Sequence, residues 1–215
     1  RRDRDAFDAV NRKLMAGLPV TAGEEQTFLR HNINSPALVE HIAAHRADTL
    51  YLFTPYLYGT TYYGMQARGG DAFLIPCLHD EGYARLPAIQ AMLKGARRLL
   101  MLSEPELAAL EMLVGPVPAA TVVGQGVDGD FQADGEAFRR KYGQARPFVL
   151  YAGRKDAGKN VELLVEFMGR YRARRGPDCD LLLIGGGQPP AAAQDGLRDL
   201  GFVSLQDKRN AYAAA

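Results

Sequence analysis

The sequence predicts an α/β protein built on parallel sheets, and three observations carry the prediction. Short, wholly apolar runs recur along the 215 residues at a spacing of roughly 20–35, room for a crossover helix between each pair. The runs end in turn residues and do not alternate with polar ones, as expected of strands buried on both faces. The segments between them carry apolar positions at helical spacing.

Residues 1–48 read as helix and loop, with Asn34-Ser35-Pro36 supplying a cap and a first-turn proline, and Leu38, Ile42 and His45 on one face. The apolar runs follow in order: Thr49–Phe53, Ala72–Pro76, Arg98–Leu102, Ala120–Val123, Phe148–Ala152 and Asp180–Ile184, with Gly201-Phe-Val-Ser204 as the last. Ser103 is a good cap for a helix from Glu104 to Leu113, with Pro105 near its start. The clearest unit is Phe148–Ile184. Its helix places Val161, Leu164, Val165, Met168 and Tyr171 in one stripe. The arginines Arg170, Arg172, Arg174 and Arg175 gather at its end, where they complement the helix dipole and stay solvated. A charged helix ends in Gly and Pro near Tyr142-Gly-Gln-Ala-Arg-Pro147, which sets the expected domain boundary: residues 1–145, then 146–215.

Composition narrows the function. With 26 Lys+Arg against 25 Asp+Glu the net charge is +1, so bulk charge gives no reason to bind nucleic acid or anionic lipid. Cys77 and Cys179 have no metal-ligand spacing and read as free thiols of a reducing cytoplasm. No apolar run approaches the ~18 residues of a membrane span. The chain opens without Met and stops in Asn210-Ala-Tyr-Ala-Ala-Ala215, which reads like the interior of a helix; a segment of a longer protein is expected.

Three of the glycine clusters, among 23 glycines, bear on chemistry. Gly124-Gln-Gly126-Val-Asp128-Gly129 has the G-x-G-x-x-G form after a strand, but Asp128 and Asp130 put negative charge where a phosphate would sit and no helix follows at once. It reads better as a turn leaving a domain. Gly153-Arg-Lys-Asp-Ala-Gly158-Lys159-Asn160 is one residue from the P-loop pattern; Asn160 replaces the hydroxyl that would hold Mg²⁺. A P-loop-like nucleotide hydrolase using Gly153–Lys159 is therefore the alternative function. With or without that label, a strand–loop–helix junction bearing Arg154, Lys155 and Lys159 is an anion site, with Asn160 able to cap the helix. Gly185-Gly186-Gly187 closes the next strand and belongs beside that site, because ligands of open α/β sheets lie outside the strand carboxyl ends.

His79, in Cys77-Leu-His79-Asp80-Glu81, has neighbouring carboxylates able to orient it. His41 and His45 lie one turn apart but lack a third ligand for zinc. Tyr51, Tyr56, Tyr58, Tyr62 and Tyr63 read first as packing, with stacking on a sugar or base as the other reading.

Together these motifs resemble a nucleotide-sugar glycosyltransferase of the two-domain GT-B fold, of the family 4 type. The resemblance rests on Val149-Leu-Tyr-Ala-Gly153-Arg154 with Lys159-Asn160, and on Leu181-Leu-Leu-Ile-Gly185-Gly-Gly187. Gly126-Val127-Asp128, Leu74-Ile-Pro76 with His79-Asp80, and the strand ending in Ser103 add to it. It implies two Rossmann-like parallel-sheet domains, both incomplete here: the second part of an acceptor-side domain and the first part of a donor domain. It implies a retaining transfer from a UDP- or GDP-sugar, with no cofactor and no obligatory metal, in polysaccharide biosynthesis. Arg154 and Lys159 would stabilise the diphosphate leaving group, and His79 would reach the donor across the cleft. Gly153, Asn160, Gly185, Gly186 and Gly187 would bind the donor. The implied acceptor is a saccharide or a lipid-linked one, with peripheral contact at the inner membrane face of the cytoplasm; Arg97-Arg98 and Arg139-Arg140-Lys141 are too short to argue that contact. The family's glycine-rich loop near the start of its first domain is absent. Its E-x7-E carboxylates would follow the position where this chain ends, so this segment is expected not to turn over by itself.

Overall fold

A computed structural model describes residues 2–69, 71–117, 119–127, 129, 131–189 and 195–215. The chain forms two compact units, Arg1–Gly126 and Val127–Ala215. Each is built on its own parallel sheet.

The first unit begins with three helices, α1 (Arg4–Met15), α2 (Ala22–His31) and α3 (Pro36–Ala44). Their starts follow from sequence: Asp3, Thr21 and Ser35 each accept a first-turn amide, and Thr21 forms a full capping box with Glu24. Strands β1 (Leu52–Phe53), β2 (Phe73–Leu74), β3 (Arg98–Met101) and β4 (Ala120–Val122) then alternate with helices α4 (Gly59–Arg68), α5 (Pro87–Gly95) and α6 (Glu104–Val114). The strands lie side by side in chain order, all parallel, with Phe53 opposite Leu74, Leu74 opposite Leu99 and Leu99 opposite Ala120. Each is shorter than its apolar run, and beyond β1 and β2 the pairing continues through the Ile75 amide to the Phe53 carbonyl and the Tyr56 amide to the Pro76 carbonyl. Leu74, Leu99 and Met101 from the sheet meet Met65, Ile89, Leu93 and Leu110 from the crossover helices, and Leu14, Phe28 and Leu29 complete this core. Tyr56 and Tyr62 are buried in it, which settles the tyrosine cluster largely as packing.

The second unit comprises α7 (Gly135–Tyr142), β5 (Phe148–Ala152), α8 (Val161–Arg175), β6 (Asp180–Ile184), β7 (Leu197–Asp199) and α9 (Leu205–Ala214). The sheet order is β5-β6-β7, again parallel, with β6 central and buried at every position. Alternation along β6 explains the unbroken apolar run. Leu181 and Leu183 pack with Val161, Val165 and Met168 of α8, whereas Leu182 and Ile184 pack with Phe138 of α7 and Ala211 and Ala214 of α9.

Four expectations are corrected here. The division falls after Gly126, not near 145, because α7 belongs to the second unit. Its charged residues bind α9: Arg139 Nη2 donates to the Ala214 carbonyl at 2.6 Å and Lys141 pairs with Asp207 at 2.8 Å. The final apolar run is not a strand; β7 lies earlier, and Ser204 accepts the Asp207 amide at 3.0 Å to start α9. Arg172 is not solvated with its neighbours. It lies against buried Asp180 at 3.2 Å, and Tyr171 leaves the apolar stripe for solvent.

Candidate functional site

The geometry is set by what happens beyond the carboxyl ends of β5 and β6. Pairing continues past both strands: the Gly153 amide donates to the Ile184 carbonyl at 2.9 Å and the Lys155 amide to the Gly186 carbonyl at 2.7 Å. Lys155 and Gly187 form a further parallel bridge. This approach requires glycine. Gly185 has φ +115° and a Cβ there would strike the Gly153 carbonyl; Gly187 has φ +95° and its Cβ would lie 2.7 Å from the Lys155 carbonyl. The glycine turn therefore sits beside the Gly153–Lys155 segment, as the sequence predicts.

From that segment the chain makes a single 3-10 turn, Ala157–Lys159, and enters α8. Arg154 is exposed, touching Asp156 at 3.4 Å, while its carbonyl accepts the Tyr151 hydroxyl at 2.6 Å. Lys159 is exposed and forms no ion pair among the described residues. Asn160 occupies the cap position of α8 in the left-handed conformation, φ +52°, and makes no side-chain cap hydrogen bond. That corrects the expected capping role. The first-turn amides of α8 are left without a capping side chain at the positive end of the helix dipole, beside exposed cations.

Lys155 also departs from expectation. Its side chain is 1% exposed, and its ammonium binds the Gly185 carbonyl and, at 3.1 Å, Asp199. It is not among the cations offered to solvent. Within the loop the Gly153, Lys155 and Lys159 amides donate to the carbonyls of Ile184, Gly186 and Asp156. The G-x-G-x-x-G segment opens no helix, the next one starting at Gly135; Asp128 and Asp130 lie outside the described residues.

His79 belongs to the first unit, in the loop that follows β2. It is exposed and lines a cavity of about 410 Å³ with Asp80, Arg85, Gln90 and Met112. The carboxylates beside it are engaged elsewhere: Asp80 pairs with Arg85 at 2.5 Å, and Glu81 accepts the hydroxyl of Tyr56 at 2.7 Å. Burial, with that bond to Glu81, pushes the Tyr56 hydroxyl above its ordinary range. What holds the loop is Glu106, a buried carboxylate that accepts the Leu78 amide at 2.6 Å and the Leu102 amide at 2.5 Å.

Sequence reasoning passed over Glu106 and Asp199. Ser103-x-x-Glu106 has the capping-box form, which could have marked Glu106 as a backbone acceptor. Asp199 carries no such local sign. His41 and His45 stack at 4.1 Å on α3, and among the described residues no group of three or more His, Cys, Asp or Glu could hold a metal ion.

Solved structures share this architecture. A crystal structure of Anabaena HepE in complex with UDP-glucose superposes over 100% of this chain and 69% of its own, with a TM-score of 0.60 and 14% identity. A second, of HepE with UDP and glucose, covers 93% of this chain with a TM-score of 0.58 and 17% identity. The likeness is one of fold. An S. aureus MnaA–UDP structure matches 96% of this chain and 68% of its own, with a TM-score of 0.50 and 12% identity. The present chain spans 57% of the length of the HepE chain solved with UDP and glucose. No protein-family model and no curated protein matches. Two Rossmann-like parallel-sheet units, the GT-B type of fold, are thus established for the chain. No helix among the described residues is long and apolar enough to cross a membrane.

Proposed function

We propose that the chain carries the diphosphate-binding part of a retaining glycosyltransferase that uses a nucleoside-diphosphate sugar. The observation that carries this reading is the junction after β5. Exposed Arg154 and Lys159 stand with the uncapped start of α8 and the glycine turn at the carboxyl end of a parallel sheet. In the reaction the bond between the anomeric carbon and the diphosphate oxygen breaks, and negative charge grows on the departing phosphate. Arg154, Lys159 and the α8 dipole stabilise that charge electrostatically, the role a divalent ion plays in metal-dependent transferases. Gly153, Asn160 and Gly185–Gly187 line the seat, their small side chains letting phosphate approach the backbone. His79 is the candidate side chain for contact with the donor sugar or the leaving phosphate. The acceptor is a saccharide or a lipid-linked saccharide, met by a cytoplasmic protein at the inner membrane face.

UDP is favoured among donor nucleotides because the HepE and MnaA structures compared above were solved with UDP or UDP-glucose. Calorimetric titration with UDP, GDP and ATP, each with Mg²⁺ and with EDTA, tests the reading. UDP or GDP binding that survives EDTA is expected. Binding of ATP alone that vanishes in EDTA would replace the transferase with the P-loop-like hydrolase, whose phosphates need the metal.

A further inference from the structure

The most deeply buried cation of the second unit has no part in the reading above. Lys155 lies one residue from exposed Arg154, yet its side chain is 1% exposed. Holding an ammonium out of water is unfavourable unless partners surround it, and an apolar residue of similar size is often no worse for stability. The arrangement therefore calls for an account beyond stability.

The partners of Lys155 form a closed circuit. Its ammonium donates to the Gly185 carbonyl. The Gly185 amide donates to the Gly201 carbonyl at 2.7 Å. The Gly201 amide donates to Asp199 Oδ1 at 3.0 Å, and the same oxygen lies 3.1 Å from the Lys155 ammonium. The circuit joins the segments that follow β5, β6 and β7.

We propose that Lys155 is a positioning residue for the diphosphate seat, acting through this circuit and not by touching the ligand. It fixes the glycine turn against Gly153–Lys155 and engages the Gly185 carbonyl, whose free lone pair would otherwise repel a phosphate. Asp199 holds the ammonium inside. The division of labour among neighbouring cations is then clear: Arg154 and Lys159 meet the ligand, and Lys155 shapes the surface on which they meet it. This inference rests on the diphosphate reading of the site.

The test uses Lys155→Met and Asp199→Ala in the 215-residue chain. Two readouts are followed: the ratio of UDP to uridine affinity, and amide hydrogen exchange at Gly185 and Gly201. Both variants should lower the affinity ratio about tenfold or more, and both should lose protection at the two amides. An affinity ratio left unchanged by both would reduce Lys155 to packing and overturn the proposal. So would a fall in Lys155→Met alone, with Asp199→Ala binding UDP as well or better, because a released Lys155 would then be a direct phosphate ligand. Should Lys155→Met fail to fold, Asp199→Ala decides by the same opposite signs. Should the unaltered chain bind no UDP, the diphosphate reading fails, while exchange at Gly185 and Gly201 still decides whether the circuit exists.

Discussion

The loops after β2 and after β5 solve one problem with opposite charges. Each leaves the carboxyl end of a parallel strand and offers an exposed candidate side chain, His79 in one and Arg154 with Lys159 in the other. Each is held by a buried ion. In the first unit it is the anion Glu106, which takes two backbone amides. In the second it is the cation Lys155, which takes a backbone carbonyl and a carboxylate. The sign fits the task. A carboxylate secures amides that would otherwise be buried without partners, whereas an ammonium secures a carbonyl at the proposed diphosphate seat.

The comparison breaks most visibly at Glu106. Glu106→Ala strands two amides, each costing about 1–3 kcal/mol, so a loss of about 2–6 kcal/mol is expected in urea unfolding. Lys155→Met should lose less, about 1–2 kcal/mol, because Asp199 is 21% exposed and water can replace its partner. Equal losses would mean that the two buried ions are not asymmetric in this way.

Lys159→Ala comes next. It removes an exposed cation without an ion pair, so stability should stay within about 0.5 kcal/mol. UDP affinity should nonetheless drop about tenfold, with uridine affinity unchanged, since only the diphosphate carries the charge it answers. Parallel losses for UDP and uridine would remove Lys159 from the phosphate seat. His79→Asn sharpens the contrast from the other side. Stability should again stay within about 0.5 kcal/mol and UDP affinity within about twofold, leaving its contribution to the transfer step alone.

These loops also show what a sequence discloses. β5 and β6 were legible to the residue, because an apolar run closed by glycine has few other uses in a parallel sheet. The meeting of the Gly153–Lys155 segment with the glycine turn was legible for the same reason, since topology alone brings successive strand ends together. Lys155 was not. In sequence it is one more basic residue in a basic loop, and only Asp199, forty-four positions later (199 − 155), turns it inward. Asn160 misled through its type: it favours caps, but it also tolerates the left-handed conformation it adopts here. The α7 charges misled because Arg139 and Lys141 find partners on α9, more than sixty positions away. Legibility stopped wherever a polar residue's partner lay on a distant element.

The smallest expected effect concerns two carboxylates, half-buried Glu24 in the first unit and buried Asp207 in the second, each paired with an exposed lysine. The bond from Lys13, with the Thr21 amide behind it, holds the Glu24 carboxyl down at about 2 from an ordinary 4.5. Lys141, then Ser204, hold Asp207 below its ordinary 3.8. A carboxyl whose folded pKa is depressed stabilises the fold above its unfolded value, and that contribution disappears as pH falls through the folded one. Stability should therefore decline between about pH 4.5 and pH 2 through Glu24, and below about pH 3.8 through Asp207. Glu24→Gln and Asp207→Asn should each flatten its own part of this acid limb in urea titrations and leave the neutral region nearly unchanged. Because both pairs are reached by solvent, added salt should flatten the limb as well. An acid limb indifferent to salt and to both substitutions would mean that neither pair is its origin.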